Sequence, residues 1–178
     1  LQACAVVGVI QAAPAGVIFH VGRCGSTAIS QALKRHGEVV VYSEPLPFNE
    51  ILSASAFPRS ARVAALRHLA AAFAAHAGKR YVLKLSSWCT LLHDIVAEAF
   101  PSSPWVFAIR DPLEVGEAVL RDPPNWYWGQ SDAARYITRL ADPQSQAVSR
   151  ESFFALLFGA FCETVAEADL GRGQLTDH

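Results

Sequence analysis

The sequence predicts an α/β fold in which helices flank a mainly parallel β-sheet. Short apolar runs rich in β-branched and aromatic residues recur along the chain, and such runs are typical of strands buried on both faces of a parallel sheet. Stretches with helical spacing separate these runs, and this alternation indicates parallel βαβ units. A glycine-rich turn directly follows the first apolar run.

The individual elements follow from the same patterns. The predicted strands are residues 17–21, 39–42, 81–85 and 105–109. The predicted helices are residues 26–35, residues 61–77, a segment that ends near 100, a segment that starts at Pro112, residues 131–140 and residues 150–168. Pro45 and Pro47 are expected to break the chain, and Gly78 is expected to end the second helix. Residues 122–130 are expected to form a loop.

The composition is that of one folded domain over residues 1–178. The net charge is −1, with 52% hydrophobic and 17% charged residues. These values exclude a disordered chain and a strongly basic nucleic-acid-binding protein. The four cysteines are far apart and form no C-x-x-C pair, so we expect no zinc site, no disulfide framework and a reducing, cytoplasmic location.

The two ends of the chain suggest a piece of a longer protein. The first residue is Leu1, and the chain stops soon after the last helical pattern, so we expect a C-terminal part to be missing. No charged residue precedes Arg23, but polar residues and Pro14 interrupt this apolar run and it has no basic start. We therefore expect neither a targeting segment nor contact with a membrane.

The turn after the first strand predicts an anion site. Its residues are Gly22, Arg23, Cys24, Gly25, Ser26 and Thr27. Unpaired amides and the positive end of the dipole lie at the start of a helix, glycines allow close approach, and hydroxyl and guanidinium donors add to the attraction. The alternative is a tight turn in which Ser26 only caps the helix. The pattern differs from the ATP-binding P-loop, because two residues separate the glycines and no lysine precedes Ser26.

Several motifs in the same order resemble the sulfotransferases that use 3′-phosphoadenosine 5′-phosphosulfate (PAPS), especially the bacterial and carbohydrate-type members. Residues 19–27 resemble their 5′-phosphosulfate loop, and residues 106–112, which include Arg110, resemble their 3′-phosphate segment. Residues 43–45 and 83–88 are similar to further parts of this family. The resemblance spans residues 17–168. It implies a P-loop NTPase-like three-layer sandwich and sulfuryl transfer from PAPS to a hydroxyl or amine of a carbohydrate or small molecule, without a metal.

The resemblance also assigns roles to the residues at the predicted site. Arg23 takes the place usually given to Lys, and Arg110 would hold the 3′-phosphate. Glu44 closes the second strand and is the candidate general base, although it could instead cap a turn or pair with Arg23. His20 is a competing base. Lys84, within an apolar strand, is expected to stabilise developing charge, and the alternative is an ion pair with Glu44 or Asp111.

Two departures from the family keep other functions open. The family has a Ser eight residues after the Arg of its 3′-phosphate segment, where this chain has Ala118, and its C-terminal Gly-rich basic loop is not visible before His178. A domain that binds a ligand without catalysis is therefore one alternative, and a kinase or NTPase that uses Mg-ATP is another. Ser86 and Ser87 could cap a helix or contact the ligand. Trp126, Tyr127 and Trp128 could stack on a ring or anchor their loop.

Overall fold

A computed structural model describes residues 12–127, 132–144, 149–168 and 173–177. Five parallel strands form one sheet in the order β2-β3-β1-β4-β5. The strands are β1 (Gly16–His20), β2 (Val40–Ser43), β3 (Tyr81–Lys84), β4 (Trp105–Ile109) and β5 (Gly173–Asp177). The predicted α/β class with a mainly parallel sheet is confirmed.

Seven α-helices and one 3₁₀ helix connect the described strands. They are α1 (Ser26–His36), α2 (Leu46–Ser53), α3 (Arg59–Ala77), the 3₁₀ helix (Ser87–Leu92), α4 (His93–Ala99), α5 (Pro112–Arg121), α6 (Asp132–Ala141) and α7 (Arg150–Glu167). Two elements differ from the expectation. The segment with Pro47 is not a break but the first turn of α2, where proline is tolerated because its missing N–H would have no partner. The strand β5 was not predicted.

The sheet is the middle layer of three. On one face, Ile18, Val41 and Val82 pack with Ile29 and Leu33 of α1. Alternate residues of the strands point to the other face, where the larger core contains residues of α2 to α7. The predicted three-layer sandwich is therefore present. In these clusters of described residues, α1 is the one helix that packs on the first face of the sheet.

The carboxyl ends of the strands meet at one edge of the sheet because all strands run in the same direction. Val21 just after β1 donates its amide to Ala108 of β4 at 3.2 Å, and Leu85 just after β3 donates its amide to Ile18 at 3.1 Å. The segments that follow β1, β2, β3 and β4 therefore lie side by side. In an open α/β sheet this is the edge at which ligands bind.

No helix within the described residues is long and apolar enough to cross a membrane. The apolar segment at residues 1–11, to which the expectation about targeting applies, lies outside the described residues.

Candidate functional site

A pocket of about 380 Å³ lies at the carboxyl edge of the sheet. Its described lining consists of His20, Gly22, Arg23, Gly25, Ser26, Thr27, Glu44, Lys84, Ser87, Pro124 and Trp126. The structure thus brings five of the six predicted turn residues together with Glu44, the candidate base, and Lys84, the candidate for charge stabilisation. The remaining two predicted residues, Cys24 and Arg110, are not among the residues that line this pocket.

The turn before α1 has a backbone that wraps around the pocket. Gly22 and Gly25 have φ angles of 81° and 87°, and Arg23 also has a positive φ of 48°, which is uncommon for a residue with a side chain. A Cβ atom on Gly22 would lie 3.4 Å from Ser87 Oγ. The backbone angle of Gly22 therefore favours glycine at this position, while a Cβ atom would only come into contact with Ser87.

The N-terminus of α1 carries a positive end that its own first turn does not neutralise. Gly25 is the N-cap, no side chain caps the helix, and the first turn contains no acidic residue. The alternative in which Ser26 is the cap is therefore wrong. Ser26 is a buried residue of the first turn and Thr27 is exposed, and both line the pocket. The amides and hydroxyls at this helix start are suited to an anion.

His20 fixes the start of the turn. Its Nδ1 accepts a hydrogen bond from the Gly22 amide at 3.0 Å, so the proton lies on Nε2, which donates to the Leu85 carbonyl at 2.9 Å. Burial and the neighbouring Lys84 lower the pKa of His20 to about 4, so the ring is neutral at pH 7. Both ring nitrogens are engaged with the backbone, and this argues for a positioning role of His20 rather than for the competing role of general base.

Glu44 and Lys84 form an ion pair that faces the pocket. The Lys84 ammonium donates to Glu44 Oε1, as the alternative reading of Lys84 expected, and the Glu44 amide donates to the Lys84 carbonyl at 2.6 Å. Glu44 adopts a positive φ of 52°, which places this residue in a sparsely populated backbone region. The side chain of Lys84 is 4% exposed and that of Glu44 is 46% exposed, so the carboxylate is the solvent-facing member of the pair.

Arg23 lines the pocket and pairs with a residue that the sequence did not single out. Its guanidinium contacts both the carboxylate and, at 2.7 Å, the backbone carbonyl of Asp122 at the end of α5. The alternative pairing of Arg23 with Glu44 does not occur, since Glu44 pairs with Lys84. Asp122 lies 99 positions away along the chain, and only the tertiary fold could have identified it.

The two predicted residues outside the lining have clear places. The Cys24 thiol is buried and donates to the Ala108 carbonyl at 3.3 Å, so its side chain anchors the turn to β4. Arg110 follows β4 directly and pairs with Glu114, four residues further along the start of α5. The Arg110 side chain is 46% exposed, so it is accessible at the same edge although it does not line the pocket.

The structure distinguishes the two serines, Ser86 and Ser87, and the loop aromatics by whether each residue lines the pocket. Ser87 lines the pocket, while the Ser86 hydroxyl accepts a hydrogen bond from Asn49 at 2.8 Å. Trp126 and Pro124 line the pocket, and the buried Tyr127 donates its hydroxyl to the Arg150 carbonyl at 2.8 Å, which makes it a loop anchor. Trp128 lies outside the described residues.

Within the parts of the chain that the structure describes, no three His, Cys, Asp or Glu side chains are grouped so that they could hold a metal ion.

Comparison with known proteins gives structural relatives only. No family model matches the sequence, and no curated protein matches it. The structure is similar to a sulfotransferase domain from the curacin biosynthetic pathway, with a TM-score of 0.51 and 12% identity over 93% of this chain and 67% of that chain. It is also similar to a sulfotransferase from Alicyclobacillus acidocaldarius, with a TM-score of 0.50 and 12% identity over 92% of this chain and 72% of that chain. The chain therefore has a sulfotransferase-like α/β fold.

Proposed function

We propose that the chain is a sulfotransferase domain that takes a sulfuryl group from PAPS and passes it to a hydroxyl or amine of a carbohydrate or small molecule. The observation that carries the proposal is the pocket at the start of α1. This pocket combines the positive end of a helix with the ion pair between Lys84 and Glu44. The sulfotransferase-like fold supports the same reading. A cytoplasmic location remains part of the proposal.

The phosphosulfate would lie against the first turn of α1. Its oxygens would accept hydrogen bonds from the amides of residues 25–27 and from the hydroxyls of Ser26 and Thr27, while Gly22 supplies a positive φ in the turn. The amide of Gly22 itself is already bonded to His20, so it is part of the turn's support rather than a donor to the ligand. Cys24 would act by anchoring this turn.

Arg23 would add the fixed positive charge. Its pair with Asp122 joins two side chains that are 41% and 73% exposed, and exposed pairs of this kind contribute at most about 1 kcal/mol. A phosphosulfate carries more negative charge than one carboxylate and accepts two parallel hydrogen bonds from a guanidinium. Exchange of Asp122 for the ligand is therefore favourable.

The chemical step needs a base and a group that stabilises charge on the leaving oxygen. The acceptor oxygen attacks the sulfur, the bond between sulfur and the bridging phosphate oxygen breaks, and that oxygen leaves with the electron pair. The acceptor proton passes to the Glu44 carboxylate, which faces solvent and therefore the acceptor. Lys84 holds Glu44 in place and supplies positive charge close to the transferred group.

Arg110 would hold the 3′-phosphate of the nucleotide. It lies at the end of β4, which neighbours β1 in the sheet, and its exposed pair with Glu114 can be exchanged in the same way as the pair of Arg23. This role requires the nucleotide to extend from the pocket across the edge of the sheet towards the start of α5.

The test is calorimetric titration with adenosine 3′,5′-bisphosphate without metal and, separately, with ATP and magnesium. We expect the native chain to bind the bisphosphate without metal, and we expect Arg23→Ala to weaken this binding by about tenfold because one charge-assisted contact is lost. Arg35→Ala is the matched control, since Arg35 is an exposed arginine in the last turn of α1.

Preference for magnesium-ATP over the bisphosphate would refute the sulfotransferase and favour the kinase or NTPase. Binding of the bisphosphate without transfer from PAPS to any of a panel of hydroxyl and amine acceptors would favour a domain that binds nucleotide without catalysis.

A further inference from the structure

A second and larger cavity lies beside the pocket. It measures about 590 Å³ and is bounded by α2, the 3₁₀ helix and α6. Leu46, Asn49 and Glu50 of α2, Trp88 of the 3₁₀ helix, and Tyr136 and Arg139 of α6 are among its described lining residues. Its volume is that of a typical small-molecule site.

The two cavities are adjacent although they share no lining residue. Glu44 lines the pocket and Leu46 lines the second cavity, with only Pro45 between them, and Ser87 and Trp88 are consecutive residues that line one cavity each. Consecutive Cα atoms are about 3.8 Å apart, so the walls of the two cavities are in contact on two segments of the chain. The second cavity therefore lies next to the segments that carry Glu44 and Ser87.

One apolar cavity next to the pocket is too small to hold an acceptor. This cavity shares Gly22, Ser87, Pro124 and Trp126 with the pocket, but its volume is only about 20 Å³. That is space for a single water molecule. Of these two cavities next to the pocket, the one bounded by α2, the 3₁₀ helix and α6 has the volume for an acceptor.

The charges and rings of the second cavity indicate what it would bind. Among the described lining residues, the charged side chains are one acid, Glu50, and two bases, Arg135 and Arg139, so the formal charge of this described lining is +1. The buried Trp88 and the half-buried Tyr136 meet edge to face with ring centroids 6.3 Å apart, and Leu46 adds an exposed apolar side chain. This combination suits a flat body that carries an acidic group.

We propose that this cavity is the acceptor site and that the acceptor is a hydroxyl compound with an acidic group on a ring. The inference rests on the proposed sulfotransferase function and specifies its substrate class. The ring lies against Trp88 and Tyr136, the acidic group lies towards Arg139, and the hydroxyl points to Glu44. The hydroxyl oxygen then forms the bond to sulfur, its proton passes to Glu44, and the S–O bond to the nucleotide phosphate breaks with the electron pair leaving on that phosphate.

The test measures binding of matched acidic and neutral probes in the absence of nucleotide. The pairs are 4-hydroxyphenylacetate with 4-hydroxyphenylacetamide, and glucuronate with methyl glucoside, each titrated by ligand-observed NMR. The native chain should prefer the acid of at least one pair. Arg139→Glu should weaken binding of that acid by about tenfold through reversal of a charge at the site, and Arg139→Gln by a smaller factor. Arg35→Glu, which reverses a charge outside the cavity, should leave the binding unchanged.

The proposal is overturned if neither acid binds better than its neutral counterpart, or if both Arg139 variants bind the preferred acid as the native chain does. Thermal melting of each variant shows that it is folded. Titration of the Arg139 variants with adenosine 3′,5′-bisphosphate tests the acceptor site and the donor site separately. The inference predicts unchanged nucleotide binding in these variants, whereas failure of the native chain to bind the bisphosphate would refute the donor assignment independently of the acid preference.

Discussion

The two sides of the pocket differ in how firmly their charged groups are held. On the side of β1 and β3, His20 and Lys84 are buried, and their hydrogen bonds connect them to Glu44 and to the backbone of the turn. Arg23, which also lines the pocket, and Arg110, which lies outside it at the same edge of the sheet, are exposed and pair with single carboxylates on or just after α5. The buried side is preorganised, and the exposed side consists of cations that exchange partners at low cost.

This difference assigns the two sides different tasks. A buried cation with one carboxylate as its partner cannot change its partner without leaving charge in a low-dielectric place, so the Lys84–Glu44 pair is suited to hold the reacting groups in a fixed geometry. Exposed guanidiniums lose little when an anion replaces their carboxylates, so they are suited to capture and release of a charged nucleotide. Substitutions on the buried side should therefore change stability most, and substitutions on the exposed side should change binding.

The largest change in stability is expected when one member of the Lys84–Glu44 pair loses its charge and the other keeps it. Glu44→Gln leaves the 4% exposed Lys84 ammonium without its counter-charge, and we expect it to lower the free energy of unfolding by about 3 kcal/mol. Lys84→Met leaves a carboxylate that reaches water, and we expect a loss of about 1 kcal/mol. Urea denaturation of both variants checks the order. An equal or larger loss for Lys84→Met would show that Glu44 is not the solvated partner.

The second effect is a dependence of stability on pH that comes from His20. Its pKa is about 4 in the folded chain against 6.5 for an unperturbed histidine, so the unfolded chain binds more protons between these values. Stability is fully present above pH 6.5 and decreases as the pH falls towards 4, by up to about 3 kcal/mol. Urea denaturation at several pH values should show this slope, and His20→Asn should remove it. An equally steep slope in His20→Asn would show that other groups cause it and would contradict the lowered pKa of buried His20.

The third effect distinguishes the role of Arg110 in nucleotide binding from that of Arg23. Arg110→Ala should weaken binding of adenosine 3′,5′-bisphosphate by about tenfold and leave binding of adenosine 5′-monophosphate nearly unchanged, because only the bisphosphate carries the group that Arg110 would hold. Calorimetry with both nucleotides gives the ratio. Glu114→Gln, which removes the carboxylate paired with Arg110, is the matched control and should not weaken either nucleotide. An equal loss for both nucleotides would place Arg110 outside the 3′-phosphate site.

The smallest effect sharpens the account of Arg23. Asp122→Asn removes the carboxylate that competes with the ligand for the guanidinium, and we expect bisphosphate binding to become about threefold tighter at low salt. The gain should disappear in high salt, since the groups are exposed. Weaker binding in Asp122→Asn would mean that Asp122 holds Arg23 in its productive orientation.

The sequence was sufficient for strands β1 to β4 and for the turn at α1 because these depend on local pattern. Apolar runs of four or five residues and the two glycines of the turn need no knowledge of the rest of the chain. The helix α2 was missed because prolines are read as breaks, although Pro47 lies in the first turn, where it does no harm. The strand β5 was missed because Gly173–Asp177 is a short polar segment that pairs only with β4 in the sheet.

The sequence could predict site residues that lie at the ends of strands. It could not predict contacts between segments that are far apart in the chain. Glu44 and Lys84 each close a strand, and neighbouring strands bring them together. That Lys84 pairs with Glu44 was one of two alternative ion pairs from the sequence, and the tertiary structure was needed to choose between them. The contact of Arg23 with Asp122 and the cavity between α2 and α6 join segments far apart in the chain.

The most direct test is a crystal structure of the native chain with adenosine 3′,5′-bisphosphate. The account predicts the 5′-phosphate on the amides at the start of α1, with Arg23 turned from Asp122 to the ligand and the 3′-phosphate within hydrogen-bond distance of Arg110. A bisphosphate bound in the cavity between α2 and α6, or one that leaves the start of α1 untouched, would contradict it.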